Sequence, residues 1–454
     1  MVLMALAMVA VLAMAALSID IVTLYLANAE AQRSADTAAL AAARVLSISG
    51  MTGDPSNSAS AFTTPWQQAC ALATSVATAV ATQNTMGGAA LTTSQISVTY
   101  PNNSDTTNCT GPDAEFGVNP LVTVKVQRTD LPTFFARIWG RTGASVSATA
   151  TAEAFNPSNS DNVGHSVNGK ITPVQPRCVK PWIVPNFDPG NAGTCGAGCA
   201  SFVTNPDGFI TTAGIMVNNT PPGVIGRTFN LFADCKTGGG PCTTPGNGVG
   251  PPQANVGPAG THPNLQYVPV DLPASFTVVP SCASSAFQEA VAGCDQTTQY
   301  QCGNEDQQST VDLGQNNVGS DSALGGQCLI RATGNGLGMG QDSLDTSSYP
   351  YKIKAGSANP LGVTTDSIVT SSNSIVSLPI YDSAPPAPAI NPTGTSLVTI
   401  IGFLQVFINY VDTTNNFVNV TVLNVAGCGN NDSNLNGAAV TGSSPVPVRL
   451  IKYP

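Results

Sequence analysis

The sequence predicts an α+β protein in which a long N-terminal helix, apolar enough to cross a membrane, leads into a small helix-backed sheet and then a β-rich, disulfide-stapled domain. Three observations predict it. Residues 1–26 carry Asp20 as their one charged side chain and run on, with no Gly or Pro before Gly50, into the alanine-rich segment 27–46. Segments alternating with period two recur from Leu121 onward, separated by turns rich in the chain's 44 Gly and 34 Pro. Twelve cysteines, an even number, stand in a chain with only 9% charged residues, which is the usage of a protein folded in an oxidising compartment.

Length and pattern justify the opening helix. At 1.5 Å per residue its first part reaches about 39 Å, enough for a hydrocarbon core of about 30 Å with some tilt. In the second part Ala31, Ala35, Ala38, Ala42 and Leu46 share one stripe, while Glu30, Arg33, Thr37 and Arg44 gather opposite. The helix is expected to leave the bilayer and offer a seam of small side chains for assembly. Ala27-Asn28-Ala29 also matches a signal-cleavage site. The apolar run, however, exceeds the roughly 7–15 residues of a signal core and lacks a basic flank, so an anchor is the preferred reading. With no basic residue ahead of the span, orientation rests on the cysteines. Asp20 is expensive in lipid; it is expected at the outer headgroup level, or paired with the amino terminus of a neighbouring subunit.

The remaining elements follow in order. Gly53, Asp54, Pro55 and Asn57 mark a loop before a second helix over 66–82, which carries Cys70. Strands are expected at 95–100 and 121–128, the second turning Val122, Val124 and Val126 inward. A short helix over 132–139 should bury Phe135 and Ile138, and 144–155 is extended again. Residues 27–155 thus form one α+β unit of pilin-like plan, with the protruding helix packed on its sheet. Residues 156–177 read as a linker, and 178–454 as the Cys-rich β domain. Within it, 236–264 is a turn-rich loop, 287–294 is the one helical run, and 396–411 with 417–425 forms a hairpin about the loop 412–416. A last strand is expected over 446–453.

Charge narrows the function. The net charge is -10 and none of the 16 basic residues forms a run, which excludes nucleic acid as a partner and charge-driven binding to anionic lipid. No hydrolase, zincin or phosphate-loop motif occurs, and His165 and His262 lie in Gly/Pro-rich surroundings, so no enzyme is expected. Zinc is disfavoured by the spacings Cys195-x3-Cys199 and Cys235-x6-Cys242 and by the lack of C-x-x-C. Disulfides are expected instead. Cys70 and Cys109 are the two cysteines ahead of Cys178 and should pair. Cys178, Cys195, Cys199, Cys235, Cys242, Cys282, Cys294, Cys302, Cys328 and Cys428 permit many connectivities. Asp432, Asn434 and Asn436 match the first half of a calcium loop, but the twelfth position is Ser443 where a bidentate Glu belongs. Calcium is the one cofactor considered.

Residues 17–46 resemble the N-terminal region of TadG-like proteins of bacterial Tad (Flp) pilus systems. The resemblance is carried by Asp20, then Leu24, Tyr25 and Leu26, then Gln32, Ala35, Asp36, Ala38, Ala39, Leu40, Ala41, Ala42 and Ala43. Residues 122–154, with the run Thr133-Phe134-Phe135-Ala136-Arg137, resemble the strand, helix and strand that follow in such proteins. Basic residues and a Gly that usually precede the apolar run are missing here. The D-x-S-x-S metal site of some longer relatives finds its nearest match at Asp345-Thr346-Ser347-Ser348-Tyr349, which lacks the last Ser, so that domain is not carried over.

The resemblance implies a non-enzymatic, surface-exposed component of a pilus apparatus: a minor pilin-like subunit, an assembly factor or an adhesin. It would be anchored once in the bacterial envelope with its bulk outside the cytoplasm. Its partners would be the membrane and other subunits, or copies of itself, through Asp20, Tyr25 and the alanine seam. The alternative is a secreted or envelope-anchored binding module, for instance for glycans.

Overall fold

In the computed structural model the chain opens as one unbroken helix, α1 (Val2–Ile48). The structure describes residues 2–50, 52, 63–113, 116–117, 119–140, 143–155, 174–176, 178–186, 188–189, 201–203, 224–233, 262–270, 276–277, 282, 285–295, 300, 309–312, 318–383, 395–427, 440–442, 444 and 446–452. α2 (Thr63–Thr82) folds back along α1. It buries Trp66, Ala69, Cys70, Ala73, Ala77 and Ala81 at helical spacing, and Ser34 Oγ donates to Ala81 O at 3.4 Å, fixing the two helices antiparallel.

The hairpin β1 (Thr85–Met86) and β2 (Ala89–Ala90) precedes β3 (Ile96–Thr99), β4 (Leu121–Leu131) and β5 (Ala144–Ala154). The last three join β21 (Val448–Ile451) in an antiparallel sheet of order β21-β5-β4-β3, on which α1 lies. Val122, Val124 and Val126 of β4 and Ala148, Ala150, Ala152 and Ala154 of β5 are buried in the same core as the alanines of α1. Small side chains on both surfaces let helix and sheet approach closely at interior packing density.

Strands β6 (Val174–Pro176), β7 (Trp182–Pro185), β8 (Thr228–Ala233) and β9 (Asn264–Pro269) follow, then the short pair β10 (Phe276–Thr277) and β11 (Cys294–Asp295), and β12 (Ser309–Asp312). A small sheet is made of β13 (Ser343–Asp345), β14 (Lys352–Lys354) and β15 (Ile368–Val369). Next come β16 (Ile375–Tyr381), β17 (Thr395–Val398), which pairs with β12, the long hairpin β18 (Ile400–Asp412) and β19 (Phe417–Gly427), and β20 (Val440–Gly442). Six strands close into a barrel of order β16-β18-β19-β8-β9-β7, in which β8-β9 and β16-β7 are parallel.

Trp182 of β7 and Val411 and Val418 of the hairpin all come within 4.0 Å of the Cβ position of Gly326, on the helix Val318–Leu329. Trp182 Nε1 donates to Ser322 Oγ at 3.0 Å on that same helix. Gly325 brings this helix against its neighbour Ala286–Ala292, where an added Cβ would lie 2.7 Å from Gln288 O.

Four expectations change. The last strand was expected in the β domain, but β21 pairs with β5, so the chain closes the first sheet, not the barrel. The barrel therefore lies between two neighbouring strands of one sheet, and its entry and exit segments β6 and β20 pair in parallel, Val174 opposite Val440. The run 396–411 is two strands with different partners, because Ile400 onward follows β16 and β19 while β17 follows β12. The short helix expected over 132–139 is a 3-10 turn, Ala136–Trp139. The helix Val318–Leu329 adds to the single helical run, 287–294, expected in that domain.

Candidate functional site

α1 changes character at Asp20. Ahead of it Leu3, Met4, Met8, Val11, Met14, Leu17 and Ile19 are exposed, and Asp20, 3% exposed, is the first buried side chain among those described. Its carboxylate accepts from three successive backbone N–H groups: Phe134 to Oδ1 at 2.8 Å, Phe135 to Oδ2 at 3.1 Å and Ala136 to Oδ2 at 2.7 Å. These are the unpaired donors at the start of the 3-10 turn, so Asp20 caps it from a distant helix. Hydrogen bonds to an ionised acceptor are about twice as strong as neutral ones, which makes this the firmest grip on the lower helix. The neighbouring-subunit pairing considered for Asp20 is thereby replaced by a partner within the chain. Capping also pulls the lower edge of the folded unit down to residue 20, six residues ahead of the boundary expected at Leu26.

A second grip lies nearly three turns on. Glu30 Oε2 accepts from Gly87 N at 2.6 Å, at the turn between β1 and β2. Gly87 has φ +60° and an added Cβ would meet Leu131 Cδ2 at 2.3 Å, so glycine is required there. The Arg128 guanidinium closes the collar by donating to Met86 O and to Asp130 Oδ1. Phe134, the residue after Thr133, leaves its ring 60% exposed at the level of Asp20, and Tyr25 and Leu26 are exposed one to two turns further along. The sequence had Phe134 within its family-like run but no signal for its exposure.

The upper end of α1 is fixed to the barrel. Asn424 Nδ2 of β19 donates to Ser47 O at 2.7 Å, satisfying one of the helix's free terminal carbonyls. Ser47 Oγ donates to Val446 O at 2.5 Å and Arg44 Nε to Thr370 O at 2.9 Å. Gly50, at φ +70°, ends the helix so close to β19 that a Cβ would lie 2.8 Å from Leu423 O.

Ala31, Ala35, Ala38 and Ala42 are fully buried within this chain. The seam expected to meet another subunit is used up by α2 and the sheet, because their small facing residues leave no gap. Ahead of the seam, between Asp20 and Ala27, α1 leaves Ile21, Val22, Tyr25 and Leu26 exposed.

Two disulfides are described in full, Cys70–Cys109 and Cys282–Cys328, and Cys178 is also disulfide-bonded. The first ties α2 to the loop that carries Tyr100, whose hydroxyl donates to Cys70 O at 2.7 Å. The backbone of Cys294 lies in β11. Cys195, Cys199, Cys235, Cys242, Cys302 and Cys428, and the calcium-loop residues Asp432, Asn434 and Asn436, lie outside the described residues. Among the described residues no cluster of three His, Cys, Asp or Glu side chains could hold a metal. Asp345 is taken by Lys354 Nζ at 2.8 Å and Ser347 Oγ at 2.6 Å, and these hold its carboxyl below the usual range, the lysine foremost.

Residues 1–45 match the family model described as Flp pilus-assembly, TadE/G-like. No curated protein and no solved structure matches the chain. The matched segment is α1 almost to its end, so it covers the exposed apolar turns, Asp20, Glu30 and the buried alanines together.

Proposed function

We propose that this protein is a membrane-anchored, extracytoplasmic component of a Tad (Flp) pilus apparatus, held by α1 with its folded bulk seated on the outer face of the membrane. The change from exposed apolar to buried side chains at Asp20 carries the reading, supported by the TadE/G-like match over residues 1–45. Residues 2–19 span about 27 Å at 1.5 Å per residue, close to the roughly 30 Å of a bilayer core. Disulfides support a reading in which the remainder lies outside the cytoplasm. Because the alanine seam is occupied, contact with other subunits falls to the outward face of Ile21, Val22 and Tyr25.

Fractionation tests the anchor. The intact chain should stay with membranes through alkaline carbonate and come off with detergent, retaining residues 2–26 by mass spectrometry. Recovery of the full chain in the soluble fraction would overturn it. A photo-crosslinker at Val22 should trap other pilus subunits, and crosslinks to lipid alone would remove the proposed contact face.

A further inference from the structure

Independently of the pilus reading, a cleft of about 520 Å³ opens between the outer wall of the barrel and the small sheet β13-β14-β15, within the size range of ligand sites. Its wall is a ladder of amides and hydroxyls. Asn409 Nδ2 donates to Asn419 Oδ1 and Thr421 Oγ1, both at 2.8 Å, and Asn419 Nδ2 donates to Asn230 Oδ1 at 2.7 Å. Asn409 reaches this wall because the β18-β19 register slips between Ile408 and Tyr410. Such bulges re-aim a side chain, and they concentrate beside sites.

Gln341, 6% exposed, lies on the same wall. Its Nε2 donates to Gly336 O and Asn409 O, while its Oε1 is buried with no hydrogen-bond partner. An unpaired buried acceptor costs about 1–3 kcal/mol, and a turn of the Gln341 side chain toward the cleft would let a ligand hydroxyl relieve it.

We infer that this cleft binds a neutral, hydroxyl-rich ligand, namely a short unit of an uncharged saccharide. Among the described residues lining it there is no lysine or arginine, and Asp342 and Asp366 add negative charge, so phosphate or carboxylate ligands are repelled. Partial burial keeps His262 below its ordinary range and uncharged at neutral pH. An apolar ligand would leave Gln341 Oε1 unpaired. A sugar matches the amide wall, because adjacent hydroxyls both donate and accept as side-chain amides do, and the half-buried Tyr410 offers a ring for an apolar sugar face.

The test uses the full chain in a zwitterionic, sugar-free detergent, screened on immobilised neutral malto-, chito- and gluco-oligosaccharides and on sialylated and uronic-acid glycans. Binders are then titrated by calorimetry. At least one neutral oligosaccharide should bind at millimolar concentration or below. Gln341→Leu should weaken it about tenfold, a change of about 1.4 kcal/mol. Ser343→Trp, an exposed position on the rim, should do so by filling the cleft, with the melting temperature unchanged, and it decides the matter if the first variant fails to fold. Absence of any neutral binder, a preference for the acidic glycans, or affinity untouched by Ser343→Trp would overturn the inference.

Discussion

Asp20 and Phe134 are joined by a 2.8 Å hydrogen bond across 114 residues of sequence, carboxylate to backbone amide. The bond links the end of the exposed part of α1 to a turn between two strands, and it sets where the folded unit begins along that helix. Replacing Asp20 by Ala leaves three N–H groups without their acceptor and should cost about 1–2 kcal/mol, the upper range for a lost cap. Asp20→Asn should recover part of it. Hydrogen exchange in nanodiscs should show the amides of 134–136 losing protection first while membrane insertion persists. Unchanged exchange there would dismiss the cap.

If α1 anchors the protein as proposed, Phe134 should touch lipid. Its ring is exposed beside the last bare turn of α1, the level at which aromatic side chains collect in membrane proteins. Phe134→Trp should therefore add fluorescence that is quenched by brominated lipids and shielded from aqueous iodide. Iodide quenching without lipid quenching would lift the domain off the membrane.

The Cys70–Cys109 bridge closes a loop with a sequence separation of 39. Chain-entropy arithmetic gives about 4 kcal/mol for a loop of that size. Changing both residues to Ser should lower the unfolding midpoint of this unit by a matching amount in denaturant. A loss under about 1 kcal/mol, against that estimate, would mean that the loop is held by its own hydrogen bonds, such as Ser104 N to Asp113 Oδ2 at 2.7 Å.

Lys180 is buried, its Nζ donating to Val291 O at 2.8 Å and Gly293 O at 2.6 Å where the helix Ala286–Ala292 ends. Burial pulls its pKa from 10.5 down to about 7. Between those values the unfolded chain holds a proton that the folded one has shed, so this residue makes stability rise with pH across that window; below about 7 both states are charged and its contribution is level. Urea midpoints at stepped pH should rise more steeply for the native chain than for Lys180→Met. Parallel curves would show that the buried amine does not titrate there.

Much of this architecture is legible in the residues. The long helix, the inward Val122, Val124 and Val126, and the 417–425 half of the hairpin follow from periodicity, which tertiary contacts reinforce here. What periodicity does not carry is partnership. β21 reads as a strand from its own residues, but that it joins β5 depends on where the barrel returns the chain. The alanine stripe was evident, but not that α2 and β5 would present equally small surfaces to fill it. Asp20 stood out as a charge in apolar surroundings, and its partner 114 residues away left no local signal. Gly325 and Gly326 show the reverse failure: glycine reads as a breaker until close helix packing supplies its reason.

Phe155 N donates to Pro447 O at 2.9 Å where the chain leaves the first sheet and where it comes back. The sheet is thus closed by strands on either side of the barrel, and a short turn across that gap would join them, at the cost of the bond from Asn424 to Ser47 O. Such a joint lets evolution, or an engineer, exchange one inserted domain for another while α1 and its sheet keep their register. A pull on that domain also loads two side-by-side strands at once, so the attachment resists tearing better than a single tether would.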